Sequence, residues 1–228
     1  NGIKMSKSKG NVVSPDDLVR DYGCDSLRMY ELFVGPPELD AEWDDRGIEG
    51  VSRFLNRFWN LVTESRDKDI EPTREMVRLR HKLVFDIEQR FNQFNLNTVI
   101  SGFMEYNNKL MELAKKEGGI DKETLKTFVV LLAPFAPHIG EELWEQLGGT
   151  DSVFHAQWPE CDTEAMKEDV IEIAVQINGK TRAVVRIPAE ASKDEAVQAG
   201  KDAVADKLTG SVVKEIYVPK KIVNLVVK

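Results

Sequence analysis

Three lysines lie within six residues near the start of the chain, in the string Lys4-Met5-Ser6-Lys7-Ser8-Lys9-Gly10-Asn11. Lysine carries a compact charge on a long stem, which suits it to follow a phosphate group that moves during a reaction. Ser14 and Pro15 then mark a helix start, with Asp16 and Asp17 in the first turn. A basic loop ahead of a helix N-terminus is typical of a polyphosphate site. Composition alone favours a frayed, solvated terminus over a phosphate site, so the choice between them depends on the exact order of the residues.

Further basic side chains are candidates for contact with nucleic-acid phosphates. Two of them follow one side of a predicted long helix, and the others lie on predicted strands and turns near the end of the chain. Each group is compatible with an ordinary solvated surface or with an RNA backbone contact. The candidates are Arg53, Arg57, Lys180, Arg182, Arg186, Lys220 and Lys221.

The overall charge of the chain limits the classes of partner. A net charge of −8 over 228 residues argues against a strongly basic nucleic-acid binder. The charge is uneven, however, because ten Lys and Arg side chains outnumber seven Asp and Glu side chains from Ile171 onward. The end of the chain is therefore the better place to expect phosphate contacts.

The composition is that of a globular chain, with 42% hydrophobic and 31% charged residues. The longest apolar run, 128–136, is too short to cross a bilayer, and no signal peptide is recognisable. Cys24 and Cys161 stand apart without clustered histidines, so neither a metal site nor a disulfide is predicted. A reducing, cytoplasmic setting is expected.

Helical periodicity dominates the first 150 residues. Two short helices are predicted over 15–34, separated at Gly23, and a long one around 54–62. Further amphipathic helices are predicted over 73–94 and 96–116, and another begins near Asp121, is interrupted by two prolines and ends near residue 147. Short connections between long amphipathic helices predict an antiparallel bundle.

Alternation with a period of two residues indicates strands over 171–177 and 180–187. Asn178-Gly179 suggests a two-residue turn, but such a turn would pair Ile177 with Lys180 and place cations on the apolar face. We predict instead a loop with an odd number of residues, such as three with a bulge, so that the cations at 180, 182 and 186 share the polar face. A helix over about 193–208, with a break near Gly200 as an alternative, and strands over 212–218 and 222–227 complete a small α+β module.

The string K-M-S-K-S-K-G-N resembles the signature loop of class I aminoacyl-tRNA synthetases, which closes over ATP during amino acid activation. Residues 47–59 and 134–144 resemble the tRNA-binding helical domain of bacterial-type leucyl-tRNA synthetases. Residues 175–182 and 216–227 resemble the small C-terminal domain of that family. The isoleucyl and valyl relatives share the loop and the bundle but do not match this ending.

The resemblance implies an α+β multi-domain chain that consists mainly of an antiparallel helical bundle followed by a small α+β domain. Residues 1–45 would end a catalytic domain, 46–152 would form the tRNA-binding bundle, 153–169 a linker, and 170–228 the small tRNA-binding domain. His138-Ile139-Gly140-Glu141 resembles the other class I signature but ends in Glu and lies in a helix, so we interpret His138 as structural.

The resemblance also implies roles for the loop. Lys7, assisted by Lys4, would contact ATP and stabilise charge on the departing pyrophosphate. Met5, Ser6 and Ser8 would complete the ATP-binding residues, and the two serines would shape the loop. The whole enzyme would use ATP and Mg²⁺ to activate leucine and transfer it to leucine tRNA. The rest of the active site is expected outside this chain. Alone, the chain is expected to be inactive, to hold no tightly bound cofactor and no metal, and to be monomeric without an obligate protein partner.

Three alternatives remain open at this point. The chain could come from an isoleucyl- or valyl-tRNA synthetase, could be a non-catalytic tRNA-binding module, or could be a helical scaffold whose basic surface is incidental. The lysine-rich loop argues against the second, because such a loop has no evident purpose away from an ATP site. Salt-dependent binding of tRNA would argue against the third.

Overall fold

The computed structural model describes residues 2–167, 170–189 and 191–228. These residues separate into two compact units, one ending at Met166 and the other beginning at Lys167. Each unit has its own hydrophobic core.

The first unit is helical throughout. A short 3₁₀ turn, Lys7–Lys9, precedes the helices, and a second one, Val153–His155, follows them. The helices are α1 (Pro15–Tyr22), α2 (Cys24–Phe33), α3 (Asp45–Ser65), α4 (Arg74–Asn92), α5 (Leu96–Glu117), α6 (Lys122–Leu132) and α7 (Pro137–Gln146). This architecture confirms the predicted bundle, including the separation of two short helices at Gly23.

Local capping explains where several of these helices begin. The side chain of Asp44 accepts a hydrogen bond from the backbone amide of Arg46 at the start of α3. At the start of α4 the side chain of Thr73 accepts a hydrogen bond from the amide of Met76. At the start of α6 the side chain of Asp121 accepts one from the amide of Thr124. Such side chains satisfy amides that have no partner within the helix, and so they fix the first turn.

Aromatic side chains form the centre of the bundle. The rings of Phe58 on α3 and Phe128 on α6 stack with their centroids 4.2 Å apart, and Phe103 on α5 lies 5.5 Å from Phe128. All three side chains are fully buried. Burial of such large apolar surfaces supplies most of the free energy that holds the helices together.

The second unit contains β1 (Val170–Ile177), β2 (Lys180–Pro188), α8 (Lys193–Ala203), β3 (Val212–Val218) and β4 (Ile222–Val227). The four strands form one sheet in the order β2-β1-β4-β3, in which β1 and β4 are parallel and the other pairs antiparallel. Ala196, Val197 and Gly200 of α8 are buried over one face of the sheet, which confirms the predicted α+β module.

Helix α8 differs from the prediction at its end. It passes through Gly200 without a break and stops at Ala203, and a 3₁₀ turn, Ala205–Lys207, follows it. A Cβ at position 200 would lie 3.1 Å from the side chain of Val223. Gly200 therefore allows the helix to approach the sheet closely, and it does not act as a helix breaker.

The β1–β2 hairpin corrects the predicted loop. Ile177 pairs with Lys180, so the loop has two residues, Asn178 and Gly179, with positive φ angles of 48° and 80°. These angles fit the two-residue turn that Asn-Gly favours. A register shift beyond Gln176 leaves Arg182 unpaired in a bulge, after which odd-numbered residues pair with odd-numbered residues as predicted.

This register changes the face on which the basic residues lie. Directly opposed residues of an antiparallel pair project to the same face. Lys180 therefore lies on the same face as its partner, the buried Ile177, whereas Arg186 lies with its partner Glu172. The prediction that Lys180, Arg182 and Arg186 share one polar face is wrong, because the bulge changes the alternation between Lys180 and Arg186.

Among the described residues, no helix is both long enough and apolar enough to cross a membrane.

Candidate nucleic-acid interface

The lysine loop is a closed turn that its own side chains hold in place. The side-chain oxygen of Asn11 accepts a hydrogen bond of 2.9 Å from the backbone amide of Ser6, and its amide nitrogen lies 3.4 Å from the carbonyl oxygen of Lys4. Gly10 adopts a left-handed conformation with φ 63°, which lets its amide donate to the carbonyl of Lys7. Asn11 at the end of the loop is therefore hydrogen-bonded to the backbone at its start.

The charged ends of this loop face solvent. Lys4, Lys7 and Lys9 are exposed, and within the described part of the chain none of their ammonium groups forms an ion pair. The hydroxyl groups of Ser6 and Ser8 lie 3.3 Å apart on the same turn. Ammonium and hydroxyl groups suit phosphate oxygens, whereas a protonated lysine cannot bind a metal ion, so we assign no metal ligand to the loop.

Helix α3 presents two free guanidinium groups. Arg53 and Arg57 are exposed, and neither has an acidic partner among the residues described. Arg46 differs, because its side chain forms hydrogen bonds of 3.0 and 3.1 Å with the carboxylate of Asp44. That contact, together with the Arg46 amide, lowers the pKa of the Asp44 carboxyl below its ordinary value. Arg53 and Arg57 are therefore better candidates for phosphate contact on this helix than Arg46.

In the second unit, the structure brings two predicted residues together and adds a third. Lys180 and Arg182 line an open cavity of about 490 Å³ next to the hairpin turn. Lys207, from the 3₁₀ turn after α8, lines the same cavity and donates a hydrogen bond of 3.1 Å to the carbonyl of Arg182. Sequence analysis missed Lys207, because its position depends on where α8 ends.

The other predicted residues of this unit lie elsewhere. The guanidinium of Arg186 is 2.8 Å from the carboxylate of Glu172, which offsets part of its charge. Lys220 and Lys221 occupy the β3–β4 turn, at the start of β4. The β1–β2 turn lies at the other end of β4, because Asn178 is hydrogen-bonded to Val227 there. Six residues of strand separate the two turns by roughly 20 Å. Lys220 and Lys221 therefore form a separate basic group.

Comparisons with known protein families give two matches. Residues 73–197, more than half of the chain, match the family described as the anticodon-binding domain of tRNA ligase. Residues 1–44, which include the lysine loop, match the family described as class I tRNA synthetases for I, L, M and V.

Similar proteins extend these matches over the whole chain. A leucine–tRNA ligase from Fervidobacterium nodosum is 41% identical over all of this chain, and one from Petrotoga mobilis is 42% identical. A crystal structure of the ternary complex of an Agrobacterium radiobacter LeuRS with tRNA and LeuAMS aligns with all of the chain at 29% identity and a TM-score of 0.78. The chain spans about 30% of the length of these proteins.

Proposed function

This chain belongs to the family of anticodon-binding domains of tRNA ligases, and on that premise we propose that it is the tRNA-binding part of a leucine–tRNA ligase. The observation that carries the proposal is its identity of 41–44% to leucine–tRNA ligases over 99–100% of its length. The described class I loop and the two exposed basic groups of the second unit support it.

The whole enzyme would join leucine to leucine tRNA at the expense of ATP, with Mg²⁺ accompanying the nucleotide. Lys7 would contact the ATP phosphates and stabilise the charge that develops on pyrophosphate, with assistance from Lys4. Met5, Ser6 and Ser8 would set the shape of the loop. Two observations support these roles. The lysines are exposed and form no ion pair among the described residues, and the Asn11 side chain closes the loop through hydrogen bonds to Ser6 and Lys4.

The same surfaces would contact leucine tRNA. Lys180 and Arg182 rank first, since both are exposed and line one cavity without an acidic side chain. A second rank contains two pairs of exposed residues. Lys220 and Lys221 lie in the same unit but away from that cavity, and Arg53 and Arg57 lie in the first unit. Arg186 ranks last because Glu172 already neutralises it in part. We further propose that the enzyme is a cytoplasmic monomer without an obligate protein partner.

Binding of tRNA by the 228-residue chain tests this assignment. We expect leucine tRNA to bind more tightly than isoleucine tRNA, with an affinity that falls steeply as salt rises, because phosphate contacts release counterions. The double substitution Lys180→Ala/Arg182→Ala should weaken binding, while Lys214→Ala, a control at an exposed lysine outside the cavity, should change it little. Equal and negligible binding of both tRNAs would refute the proposal.

A further inference from the structure

The cavity beside the hairpin turn differs in charge from the rest of this chain. Three cationic side chains line it, those of Lys180, Arg182 and Lys207, and the remaining lining residues are neutral. The chain as a whole carries a net charge of −8. A concave site with three positive charges and no negative one is suited to an anion.

The hairpin turn that bears Lys180 is fixed to the neighbouring strand. The side chain of Asn178 accepts a hydrogen bond of 2.9 Å from the amide of Val227 and donates one of 3.3 Å to its carbonyl. The amide of Gly179 donates a hydrogen bond of 3.1 Å to the side-chain oxygen of Asn224. These bonds hold the backbone on which Lys180 stands, so that an anion would meet a preorganised site.

Lys207 reaches the same place from the opposite side. Its ammonium group donates one hydrogen bond to the carbonyl of Arg182, which the bulge leaves unpaired in the β1–β2 ladder. A lysine ammonium has three N–H donors, so two of them stay available to a ligand. The contact also ties the 3₁₀ turn after α8 to the bulge that contains Arg182.

Three acidic side chains of the unit are engaged away from this cavity. Glu172 pairs with Arg186, and Glu215 pairs with Lys201. Glu195 forms the capping box of α8 with Ser192. Among the described residues, the lining of the cavity contains no acidic side chain, whereas Arg186 and Lys201 each pair with a carboxylate.

We infer that Lys180, Arg182 and Lys207 form a single phosphate seat, in which Lys207 is a direct ligand of the same phosphate group as the other two residues. The inference rests on the proposed function in one respect, because it takes that phosphate to be a phosphodiester of the tRNA backbone. Guanidinium and ammonium groups both bind phosphate oxygens through charge-assisted hydrogen bonds. Free phosphate offers the same chemistry and serves as a separate probe.

Titration of the chain with inorganic phosphate at constant ionic strength, followed by NMR of the backbone amides, tests the seat directly. We expect saturable shifts at Gly179, Arg182 and Lys207, which Lys207→Ala abolishes and Lys207→Arg restores. Lys214→Ala, an exposed lysine outside the cavity, should leave the shifts unchanged. Absence of shifts at these amides, or shifts that persist in Lys207→Ala, would overturn the inference whether or not tRNA binds.

Titration with leucine tRNA across a salt series then tests whether the seat holds one phosphate group. We expect Lys207→Ala to weaken binding about tenfold and to reduce the slope of log affinity against log salt by about 0.7–0.9. Lys207→Ala/Arg182→Ala should reduce the slope no further, because a single phosphate is lost. A slope loss twice as large in the double variant would overturn the single seat, whereas wild-type protein without salt-dependent binding would refute the proposed function instead.

Discussion

The carboxylate of Asp25 on α2 accepts a hydrogen bond of 2.8 Å from the backbone amide of Ile139, at the start of α7. The same carboxylate lies 3.3 Å from the amide nitrogen of His138 and 2.8 Å from its imidazole Nδ1. The N-cap position of α7 is Ala136, which has no capping side chain. Asp25 therefore caps a helix more than 110 residues away, and its negative charge lies at the positive end of that helix.

Removal of this carboxylate should destabilise the first unit. In Asp25→Ala the two amides of α7 would lose the buried carboxylate that accepts from them, and we expect the free energy of unfolding to fall by about 0.5–2 kcal/mol. Asp25→Asn keeps an acceptor and should cost less. Urea unfolding measures the difference, and Asp16→Asn on the exposed first turn of α1 is the control. Stability equal to wild type in Asp25→Ala would contradict the capping role.

Two glycines on the same helix should respond in opposite directions. At Gly47, a Cβ would lie 2.3 Å from the ring of the buried Tyr30, so Gly47→Ala should destabilise the unit by about 1–3 kcal/mol. At Gly50 no atom lies within 4 Å of such a Cβ. Gly50→Ala should therefore stabilise by about 0.5–1 kcal/mol through better helix propensity. Equal melting temperatures for the two variants would show that α3 does not pack against Tyr30 as described.

The titration of His155 should depend on Asp151. The imidazole Nδ1 lies 2.8 Å from the Asp151 carboxylate, a contact that raises the pKa of His155 above 6.5 and lowers that of Asp151. The raised pKa of His155 means that the pair stabilises the turn below pH 6.5, and this contribution is lost as pH rises through the folded-state value. An NMR titration should place the pKa of His155 lower in Asp151→Asn. An unchanged value would rule out the pairing.

Substitutions at Asn178 should separate its two contributions. Asn178→Gly keeps the positive φ but loses both side-chain bonds to Val227, and we expect a cost of about 1–2 kcal/mol. Asn178→Ala loses the bonds and also places a Cβ in a left-handed conformation, which costs about 1 kcal/mol more. Thermal unfolding followed by the amide signals of the second unit measures both. If alanine were tolerated better than glycine, the described turn would be wrong.

Local signals in the sequence predicted much of the fold. Pro15, Thr73 and Asp121 marked helix starts that the structure confirms, since these three signals depend only on residues within one turn. The string K-M-S-K-S predicted a lysine-rich loop before α1, and in the structure the lysines of this loop are exposed. These features depend on residues that are close in sequence, so a single sequence is enough to predict them.

Features that depend on distant residues escaped prediction. The structure combines a two-residue turn with a bulge at Arg182, whereas the sequence predicted a bulge together with a loop of odd length. Lys207 joins the cavity because α8 ends at Ala203. The cap that Asp25 provides for α7 joins two segments with no shared local pattern. Each depends on tertiary packing, which overrides local preference.

The most direct test of the account is a chimeric enzyme. This chain replaces the matching segment of the Fervidobacterium nodosum leucine–tRNA ligase, and the charging of leucine tRNA with leucine is measured. We expect charging to be retained, to fall by at least about 100-fold in Lys7→Ala as a charge-stabilising group is lost, and to stay unchanged in Lys214→Ala. A folded chimera that binds ATP but does not charge leucine tRNA, or that charges it equally well with Lys7→Ala, would contradict the account.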